Sequence, residues 1–349
     1  MNRTDYFLLA GLLALPVYVA AQTIPATPPS GYYTAVAANP KGTVTNITYG
    51  SSYKARVYTP PGYSTSRKYA SMYLLHGSGG SEASWHDNDL YAHIQLDNLI
   101  AQQKVKPFII VFTRNDMNNW AFGPILFNEL IPYVEKNYSV STDPDNRALG
   151  GLSMGGMQTI NFGFPNADKF HYLMPSSSAP GIQGQSQLFP NGGALAKANL
   201  KLIFFTCGSG EANSFGCQNN ATVRGYAETN GLGTIIKEFI AQGGAHNAAT
   251  WRPSFWNFAQ LADAAGFTDV GTTHVRGNDA PIFAAMAAPS GTVDVFDSRG
   301  KFLKGIMASA FSDGEVGLAP GSYFLKWQSG NRVHVSRYST GHWGQGDKK

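Results

Sequence analysis

The chain has 349 residues, of which 43% are hydrophobic and only 14% charged, and its formal net charge is +4. This length and apolar content allow one large domain or two smaller ones, and they exclude an intrinsically disordered protein. The small charge forms no basic block, so nothing indicates nucleic-acid binding. A weakly charged chain in which 13% of the residues are aromatic suits uncharged partners.

Residues 1–21 have the pattern of a secretory signal peptide. An apolar run begins at Tyr6, and the small residues Ala20 and Ala21 precede the expected cleavage site. A membrane anchor is the alternative, but the run is shorter than the roughly 20 residues that a spanning helix needs, and Pro16 interrupts it. We therefore expect a secreted or cell-surface protein.

The next segment, residues 22–42, is rich in proline and small residues and is expected to be a linker. Alternating patterns then predict two antiparallel strands at 43–49 and 53–58. Continuous apolar runs predict buried parallel strands at 72–75, 108–112 and 202–205. A short strand is predicted at 148–151, and residues 235–240 are expected to form the last strand of the sheet. Apolar residues at helical spacing predict helices at 90–103, 127–137, 154–164 and 253–265. This alternation predicts an α/β domain over residues 43–267 with a mostly parallel central sheet.

The composition changes after this domain. Residues 268–290 are expected to be a second linker, and residues 291–349 a small all-β module. Short alternating strands are predicted at 292–297 and 322–327, separated by glycine-rich turns.

The strongest local motif is Gly-Leu-Ser-Met-Gly at residues 151–155, between a short apolar strand and an apolar helix. In that context Gly-x-Ser-x-Gly forms a nucleophile elbow, a turn so tight that the flanking residues must lack side chains. We therefore expect Ser153 to be a catalytic nucleophile.

A serine hydroxyl needs a base to take its proton and an acid to orient that base. Of the eight histidines, His246 lies in a flexible glycine-rich loop between the last predicted strand and the last helix, and we assign it as the base. Four carboxylates lie between Ser153 and His246. Glu211 alone follows directly from a buried strand, at the sheet edge where such enzymes place their sites, whereas Asp168, Glu228 and Glu238 have the settings of surface charges.

The only two cysteines, Cys207 and Cys217, flank Glu211. Export would allow them to form a disulfide that closes the loop carrying the acid; a reduced, inert pair is the alternative.

A glycine-rich loop, residues 76–80, follows another buried strand. Hydrolases with a nucleophile elbow use such a loop to offer a backbone N–H to the oxyanion of the reaction intermediate. The backbone amides of Ser78 and Met154 are therefore expected to form the oxyanion hole. A phosphate-binding loop is the rival interpretation, but no Gly-Lys-Ser/Thr follows, and no nucleotide is expected. His76 is expected to be structural. The sequence shows no metal-ligand spacing, so we expect neither metal nor cofactor.

Three tryptophans are candidates for the substrate site. Trp85 follows the glycine-rich loop, Trp120 follows the carboxyl end of a buried strand, and Trp251 lies five residues beyond His246. Each is expected to line an aromatic acyl or sugar site, and a packed core position is the alternative for each.

Residues 73–82, 128–138, 147–156 and 243–256 together resemble carbohydrate esterase family one, most of all the feruloyl esterase domains attached to bacterial xylanases. The resemblance covers about residues 43–267. It implies an α/β-hydrolase fold, a serine esterase mechanism that uses Ser153 and His246, and an ester on plant cell-wall arabinoxylan as substrate. The chain departs from the family pattern in having Glu211 where these esterases usually carry aspartate.

The C-terminal module, especially residues 293–300 and 318–324, is similar to the sorting domains of the bacterial type IX secretion route. That similarity implies secretion machinery or a cell-surface attachment as a partner.

The expected function is hydrolysis of ester-linked ferulate from arabinoxylan through an acyl-enzyme. The first alternative is an acetylxylan esterase, which needs only a shallow acyl slot. The second is a catalytically inactive carbohydrate-binding relative, which has no need to keep Ser153, His246 and an intervening acid.

Overall fold

The computed structural model describes residues 24–87, 89–116, 121–270, 275–276, 292–297, 301–307, 321–329 and 332–340. The predicted signal peptide, most of the second linker and Trp120 lie outside these residues. Among the described helices, none has both the length and the apolar character needed to cross a membrane.

A sheet of eight strands forms the centre of the molecule. Its strands lie in the order β1-β2-β4-β3-β5-β6-β7-β8; the pairs β1–β2 and β2–β4 are antiparallel, and the remaining neighbours are parallel. The strands are β1 (Thr43–Tyr49), β2 (Tyr53–Thr59), β3 (Ser71–Leu75), β4 (Ile109–Thr113), β5 (Arg147–Leu152), β6 (Tyr172–Ser176), β7 (Leu202–Gly208) and β8 (Ile236–Ala241).

The sequence pattern of each strand agrees with its place in the sheet. Every residue of β3, β4, β5, β6 and β7 is buried, as expected for strands covered on both faces by helices. The edge strand β1 alternates between exposed and buried positions towards its end because one of its faces meets solvent. The predicted antiparallel pair and the predicted parallel core are both confirmed.

Helices cover both faces of this sheet. They are α1 (Ala92–Ala101), α2 (Phe122–Ile125), α3 (Ile131–Asn137), α4 (Met154–Gly163), α5 (Gln185–Leu188), α6 (Pro190–Asn199), α7 (Phe215–Thr229) and α8 (Ala248–Ala264), and a π-helical turn (Leu126–Leu130) joins α2 to α3. One hydrophobic cluster contains residues of α3, α4, α6 and α7, and the other contains residues of α1 and α8. These two clusters show a three-layer α/β sandwich, so the predicted fold class is confirmed.

Residues 24–42 pack against the domain along α1 and α8. The Ala26 N–H donates to Asn257 Oδ1 over 2.9 Å, and Asn98 Nδ2 donates to the Tyr32 carbonyl oxygen over 2.9 Å. The Tyr32 ring meets Trp256 edge-on, with centroids 5.3 Å apart. This part of the expected linker is therefore held by specific contacts with two helices.

A second sheet is formed by strands near the C-terminus. It contains β9 (Val275–Arg276), β10 (Thr292–Asp297), β11 (Phe302–Met307), β12 (Gly321–Ser329) and β13 (Arg332–Thr340), in the order β11-β10-β12-β13-β9. All its pairs are antiparallel except β13–β9. The all-β character predicted for this region is confirmed; β9 falls within the segment that was expected to be a linker.

Helix α8 begins five residues before its predicted start. Asn247 caps the helix, since its side-chain Oδ1 accepts a hydrogen bond from the Ala249 N–H over 3.0 Å. This cap satisfies one of the free N–H groups of the first turn. The cap fixes the position of His246, which immediately precedes it.

Candidate active site

Ser153 lies at a sharp turn between β5 and α4. Its backbone angles are φ 53° and ψ −114°, a conformation that side chains rarely adopt and that costs about 1–3 kcal/mol where the fold imposes it. A Cβ at Gly151 would lie 2.4 Å from the Gly155 carbonyl oxygen, and a Cβ at Gly155 would lie 2.4 Å from the Leu75 carbonyl oxygen. Both glycines are required because the backbone passes too closely for any side chain.

His246 connects Ser153 with Glu211. Its Nε2 lies 2.9 Å from Ser153 Oγ, and its Nδ1 lies 2.5 Å from Glu211 Oε1. Because an ionised carboxylate only accepts hydrogen bonds, the proton lies on Nδ1, and Nε2 is free to accept from the serine hydroxyl. The three side chains predicted from the sequence are therefore brought together across 93 and 35 positions of the chain.

Glu211 is a buried carboxylate, with a side chain only 3% exposed. Its Oε2 accepts hydrogen bonds from Ser177 Oγ over 2.7 Å and from the Gly208 N–H over 2.9 Å. Burial raises the pKa of Glu211, but the hydrogen bonds from His246, Ser177 and Gly208 outweigh it and hold the pKa below its ordinary value. The carboxylate thus stays ionised while it orients the imidazole.

Two aromatic rings flank His246. Trp251 meets the imidazole edge-on with centroids 5.0 Å apart, and Phe215 does so at 5.2 Å. The Trp251 indole N–H also donates to Ser177 Oγ over 3.2 Å, and Ser177 in turn donates to Glu211. Trp251 therefore contacts the imidazole directly and the carboxylate through one hydroxyl.

The Cys207–Cys217 disulfide is present in the structure, with the two Cα atoms 5.5 Å apart. It links the end of β7 to the first turn of α7, and Glu211 lies on the short segment between them. The Gly210 N–H donates to the Gly244 carbonyl oxygen over 2.8 Å, which ties the same segment to the His246 loop. The acid and the base are thus carried by two segments that brace each other.

The glycine-rich loop at residues 76–80 is held by a buried histidine. His76 is fully buried; its Nδ1 donates to the Gly77 carbonyl oxygen over 2.7 Å, and its Nε2 accepts from the Asn115 N–H over 3.2 Å. Burial lowers the pKa of His76, so the ring remains neutral. Its contacts are those of the structural residue that the sequence predicted.

An open cleft of about 660 Å³ surrounds Ser153 and His246. Ser78 lies on its wall, and Met154 is the first residue of α4, where backbone N–H groups have no acceptor within the helix. Leu90, Leu152 and Trp251 contribute apolar surface. The described lining comprises residues 77–80, Ser84, Asp89, Leu90, Leu152, Ser153, His246, Asn247, Ala248 and Trp251.

The expectation that Trp85 contacts a substrate is wrong. The side chain is only 1% exposed, packs near Phe255 in the core, and donates its indole N–H to the Leu75 carbonyl oxygen over 2.9 Å. Trp85 supports the end of β3 beneath the glycine-rich loop. It therefore occupies a packed core position, which was the alternative interpretation. Trp251 does line the cleft, and Trp120 lies outside the described residues.

The carboxylates passed over in favour of Glu211 form ion pairs away from the cleft. Asp168 pairs with Lys169 over 2.9 Å, and Glu238 pairs with Arg224 over 2.6 Å. Glu228 also faces Arg224, one helical turn away. These contacts fit the surface roles that the sequence indicated.

Sequence reasoning missed two residues of this arrangement, Ser177 and Phe215. Ser177 follows β6, a strand that was not predicted, and it is fully buried with a positive φ of 47°. Phe215 opens α7, which was not predicted either, and it is 42% exposed beside the imidazole. The run of serines at the end of an apolar segment was the available signal for Ser177.

Comparisons with known proteins agree with this geometry. The Esterase family model matches residues 46–260. An endo-1,4-beta-xylanase/feruloyl esterase of Xylanibacter ruminicola is 32% identical over 240 residues, which cover 63% of this chain and 31% of that protein. Endo-1,4-beta-xylanase Y of Acetivibrio thermocellus is 34% identical over 134 residues, which cover 35% of this chain and 12% of that protein. The chain thus spans less than a third of either relative.

Solved structures share the fold. A CE1 ferulic acid esterase from Anaeromyces mucronatus, in complex with ferulic acid, superposes with a TM-score of 0.61 at 23% identity and covers 70% of this chain and 99% of that one. The feruloyl esterase module from Clostridium thermocellum, complexed with sinapinate, gives a TM-score of 0.53 at 21% identity over 67% of this chain and 92% of that one. These likenesses confirm the α/β-hydrolase architecture.

Proposed function

We propose that this chain, which belongs to the Esterase family and is a carboxylic ester hydrolase, releases hydroxycinnamate from feruloylated arabinoxylan. The observation that carries the proposal is the Ser153–His246–Glu211 array, with contacts of 2.9 Å and 2.5 Å, in an open and largely uncharged cleft. This array is the one that serine esterases need for acyl transfer.

In the first half of the reaction, Ser153 Oγ attacks the ester carbonyl carbon while His246 Nε2 takes the hydroxyl proton. Glu211 stabilises the imidazolium that forms. The carbonyl oxygen becomes an oxyanion, and the backbone N–H groups of Ser78 and Met154 donate to it. The tetrahedral intermediate collapses, the C–O bond to the sugar breaks, and His246 returns the proton to the sugar hydroxyl.

In the second half, water attacks the acyl-enzyme. His246 accepts one proton from that water, a second tetrahedral intermediate forms, and its collapse breaks the bond to Ser153 Oγ, which regains the proton from His246. Hydroxycinnamate leaves as a free acid. The buried, ionised Glu211 serves both halves because the imidazolium forms twice.

The size and lining of the cleft support an aromatic acyl group. Its volume of about 660 Å³ lies within the range of sites that enclose drug-sized ligands, whereas an acetyl group would leave most of it empty. Trp251 and Leu90 supply apolar surface for a planar ring. The matched Xylanibacter ruminicola protein is named as a xylanase and feruloyl esterase, which supports xylan as the polymer that carries the ester.

The test is to incubate the purified chain and its Ser153→Ala variant with arabinoxylan and to quantify released ferulate and acetate by chromatography. Ferulate that is released by the wild type and lost in the variant supports the proposal. Acetate alone would instead identify an acetylxylan esterase. Release of neither acid, with retained binding to the polysaccharide, would identify a carbohydrate-binding relative.

The proposal includes export. Residues 1–21 have signal-peptide character, and a polysaccharide of plant cell walls is reached only outside the cell. We assign residues 43–267 to the esterase domain and residues 291–349 to a module for sorting or surface attachment. Mass spectrometry of exported protein from the expressing cells checks the signal peptide: an N-terminus at Gln22 supports the cleavage site, and an uncleaved N-terminus overturns it.

A further inference from the structure

A second cleft lies beside the C-terminal end of α4, whose N-terminal end adjoins Ser153. It has a volume of about 450 Å³ and opens widely to solvent. The aromatic rings of Phe127 and Phe162 and the prolines Pro124 and Pro165 contribute its apolar surface. Nothing in the proposed ester hydrolysis uses this cleft.

The polar groups of this cleft are carboxamides. None of the described residues that line it carries a charge, and the lining includes five amide side chains, Asn128, Asn161, Asn166, Gln183 and Gln187. Each amide has both donors and acceptors, which matches the hydroxyl groups of a sugar, since these also donate and accept. An aromatic ring offers its negative face to the C–H groups of a sugar ring. The chemistry therefore fits an uncharged glycan better than an anion or a cation.

One of these amides has an unused acceptor. Gln183 Oε1 is buried and has no hydrogen-bond partner among the described residues. The Gln183 side chain is only half-buried, so its carboxamide can turn into the cleft, where a ligand hydroxyl that donates to Oε1 relieves the cost of about 1–3 kcal/mol of an unpaired buried polar atom. A sugar hydroxyl at this position would supply the missing donor.

The cleft is physically connected to the nucleophile. The Ala179 N–H donates to the Ser153 carbonyl oxygen over 2.9 Å, and the loop then continues to Gln183, whose N–H donates to Asn161 Oδ1 over 3.0 Å. Asn161 Nδ2 also donates to the Gly181 carbonyl oxygen over 3.0 Å. Asn161 lies about 12 Å along α4 from Ser153, given the helical rise per residue. A short oligosaccharide spans that distance.

We propose that this amide-lined cleft is a distal sugar subsite that binds the xylan segment next to the esterified residue. The assignment rests on the proposed function, because it takes the polysaccharide of that substrate as its ligand. The cleft would hold the polymer while the ester reaches Ser153, so it acts on the affinity for long substrates and leaves the chemical step unchanged.

The test compares Gln183→Leu and Asn128→Ala with a control, Gln102→Ala, an exposed amide that lines neither cleft. For feruloylated xylo-oligosaccharides, each cleft variant should raise KM by about tenfold, the effect expected when a hydrogen bond of about 1.4 kcal/mol is lost. For methyl ferulate, kcat and KM should match the wild type. Unchanged KM for the oligosaccharide in both variants overturns the subsite.

A second measurement separates this proposal from the proposed function. Titration calorimetry of ester-free xylo-oligosaccharides, with Ser153→Ala as host, reports binding without catalysis. Weaker binding in the cleft variants, with Gln102→Ala unaffected, supports the subsite even if ferulate is not released by the wild type. Equal binding in all the variants, together with hydrolysis of methyl ferulate, overturns the subsite and leaves the esterase intact.

Discussion

Two glycine-rich loops at the carboxyl edge of the sheet each carry a histidine: the first loop is residues 76–80 and the second is residues 243–247. The two imidazole rings have opposite surroundings. His76 is fully buried and both its nitrogens bond to backbone groups, whereas the His246 side chain is 35% exposed and its nitrogens meet a hydroxyl and a carboxylate. In the first loop the ring supports the backbone, which faces the cleft. In the second the backbone supports the ring. A histidine beside glycines thus has no fixed role, and its partners decide the role.

Replacing His246 should give the largest effect. In His246→Ala, kcat for methyl ferulate should fall by about 10⁴-fold or more, because His246 is the one described side chain that hydrogen-bonds to Ser153 Oγ and can take its proton. The melting temperature should fall by only a few degrees, because the ring is partly exposed and Glu211 keeps its hydrogen bonds from Ser177 and Gly208. Steady-state kinetics and thermal denaturation check this prediction.

The double variant Ser153→Ala/His246→Ala is the control for this result. Residues that act as one unit give non-additive losses, so the double variant should be no slower than either single variant. Losses that multiply would show that the two side chains act independently, and the assignment of His246 as the base would then fail.

Replacing His76 should affect stability first. In His76→Ala, a buried ring and two of its hydrogen bonds are lost, and the free energy of unfolding should fall by about 2–4 kcal/mol. Urea denaturation followed by circular dichroism measures this change, with His246→Ala as the matched control. If His76→Ala unfolds like the wild type yet has lost its activity, the contrast between the two loops is wrong and His76 belongs to the chemistry.

The turn that carries Ser153 and the first glycine-rich loop were both predictable from the sequence. The Gly-x-Ser-x-Gly motif and the His-Gly-Ser-Gly-Gly run are local patterns whose glycines have local causes. Gly155, in the first turn of α4, lies too close to the Leu75 carbonyl oxygen for a side chain, and Gly79 has a positive φ of 74°. The parallel strands β3, β4 and β7 were also predictable, because burial on both faces makes them continuous apolar runs. In these segments the conformation depends on residues that are close together in the sequence, so a local pattern is enough to predict it.

The surroundings of the acid were harder to predict. Ser177 contacts Glu211 from 34 positions away, and neither β6 nor α7 was recognised. Helix α7 buries only four of its fifteen residues, and two of those four are Gly216 and Asn220, so it shows no continuous apolar stripe in the sequence. Trp85 was misassigned for a related reason: a tryptophan that follows an active-site loop in sequence can point beneath that loop instead of into the cleft. Contacts set by tertiary packing leave little trace in the sequence.

Removing the Cys207–Cys217 disulfide should lower both the stability of the fold and the activity, because the bond closes the segment that carries Glu211. In Cys207→Ser/Cys217→Ser, the short closed segment around Glu211 gains freedom, and the free energy of unfolding should fall by about 2–3 kcal/mol. Because this segment also holds the acid, kcat should fall several-fold while KM stays the same. Denaturation and kinetics on the same samples measure both quantities.

Treating the wild type with a thiol reductant is the matched control, and it should reproduce the double variant. If stability falls but kcat does not, the disulfide stabilises the fold without positioning Glu211. That outcome would mean that the hydrogen bonds from Ser177, Gly208 and His246 hold the carboxylate in place without the disulfide.

The smallest effect concerns the pH dependence of stability. The pKa of Glu211 in the folded chain lies below its ordinary value of 4.5, because hydrogen bonds from His246, Ser177 and Gly208 outweigh burial. The ionised carboxylate therefore contributes stability that is fully present above the unfolded-state pKa and is lost as pH falls through the folded-state pKa. Melting temperatures of the wild type and Glu211→Gln, measured from about pH 7 to about pH 3, should converge by a few degrees as the pH falls. The depressed pKa of Asp145, beside His171 and Lys201, acts in the same direction in both proteins, so the difference between them isolates Glu211. A constant difference across this range would mean that Glu211 titrates alike in the folded and unfolded chain, and the buried acid would then contribute no more to folding than an exposed one.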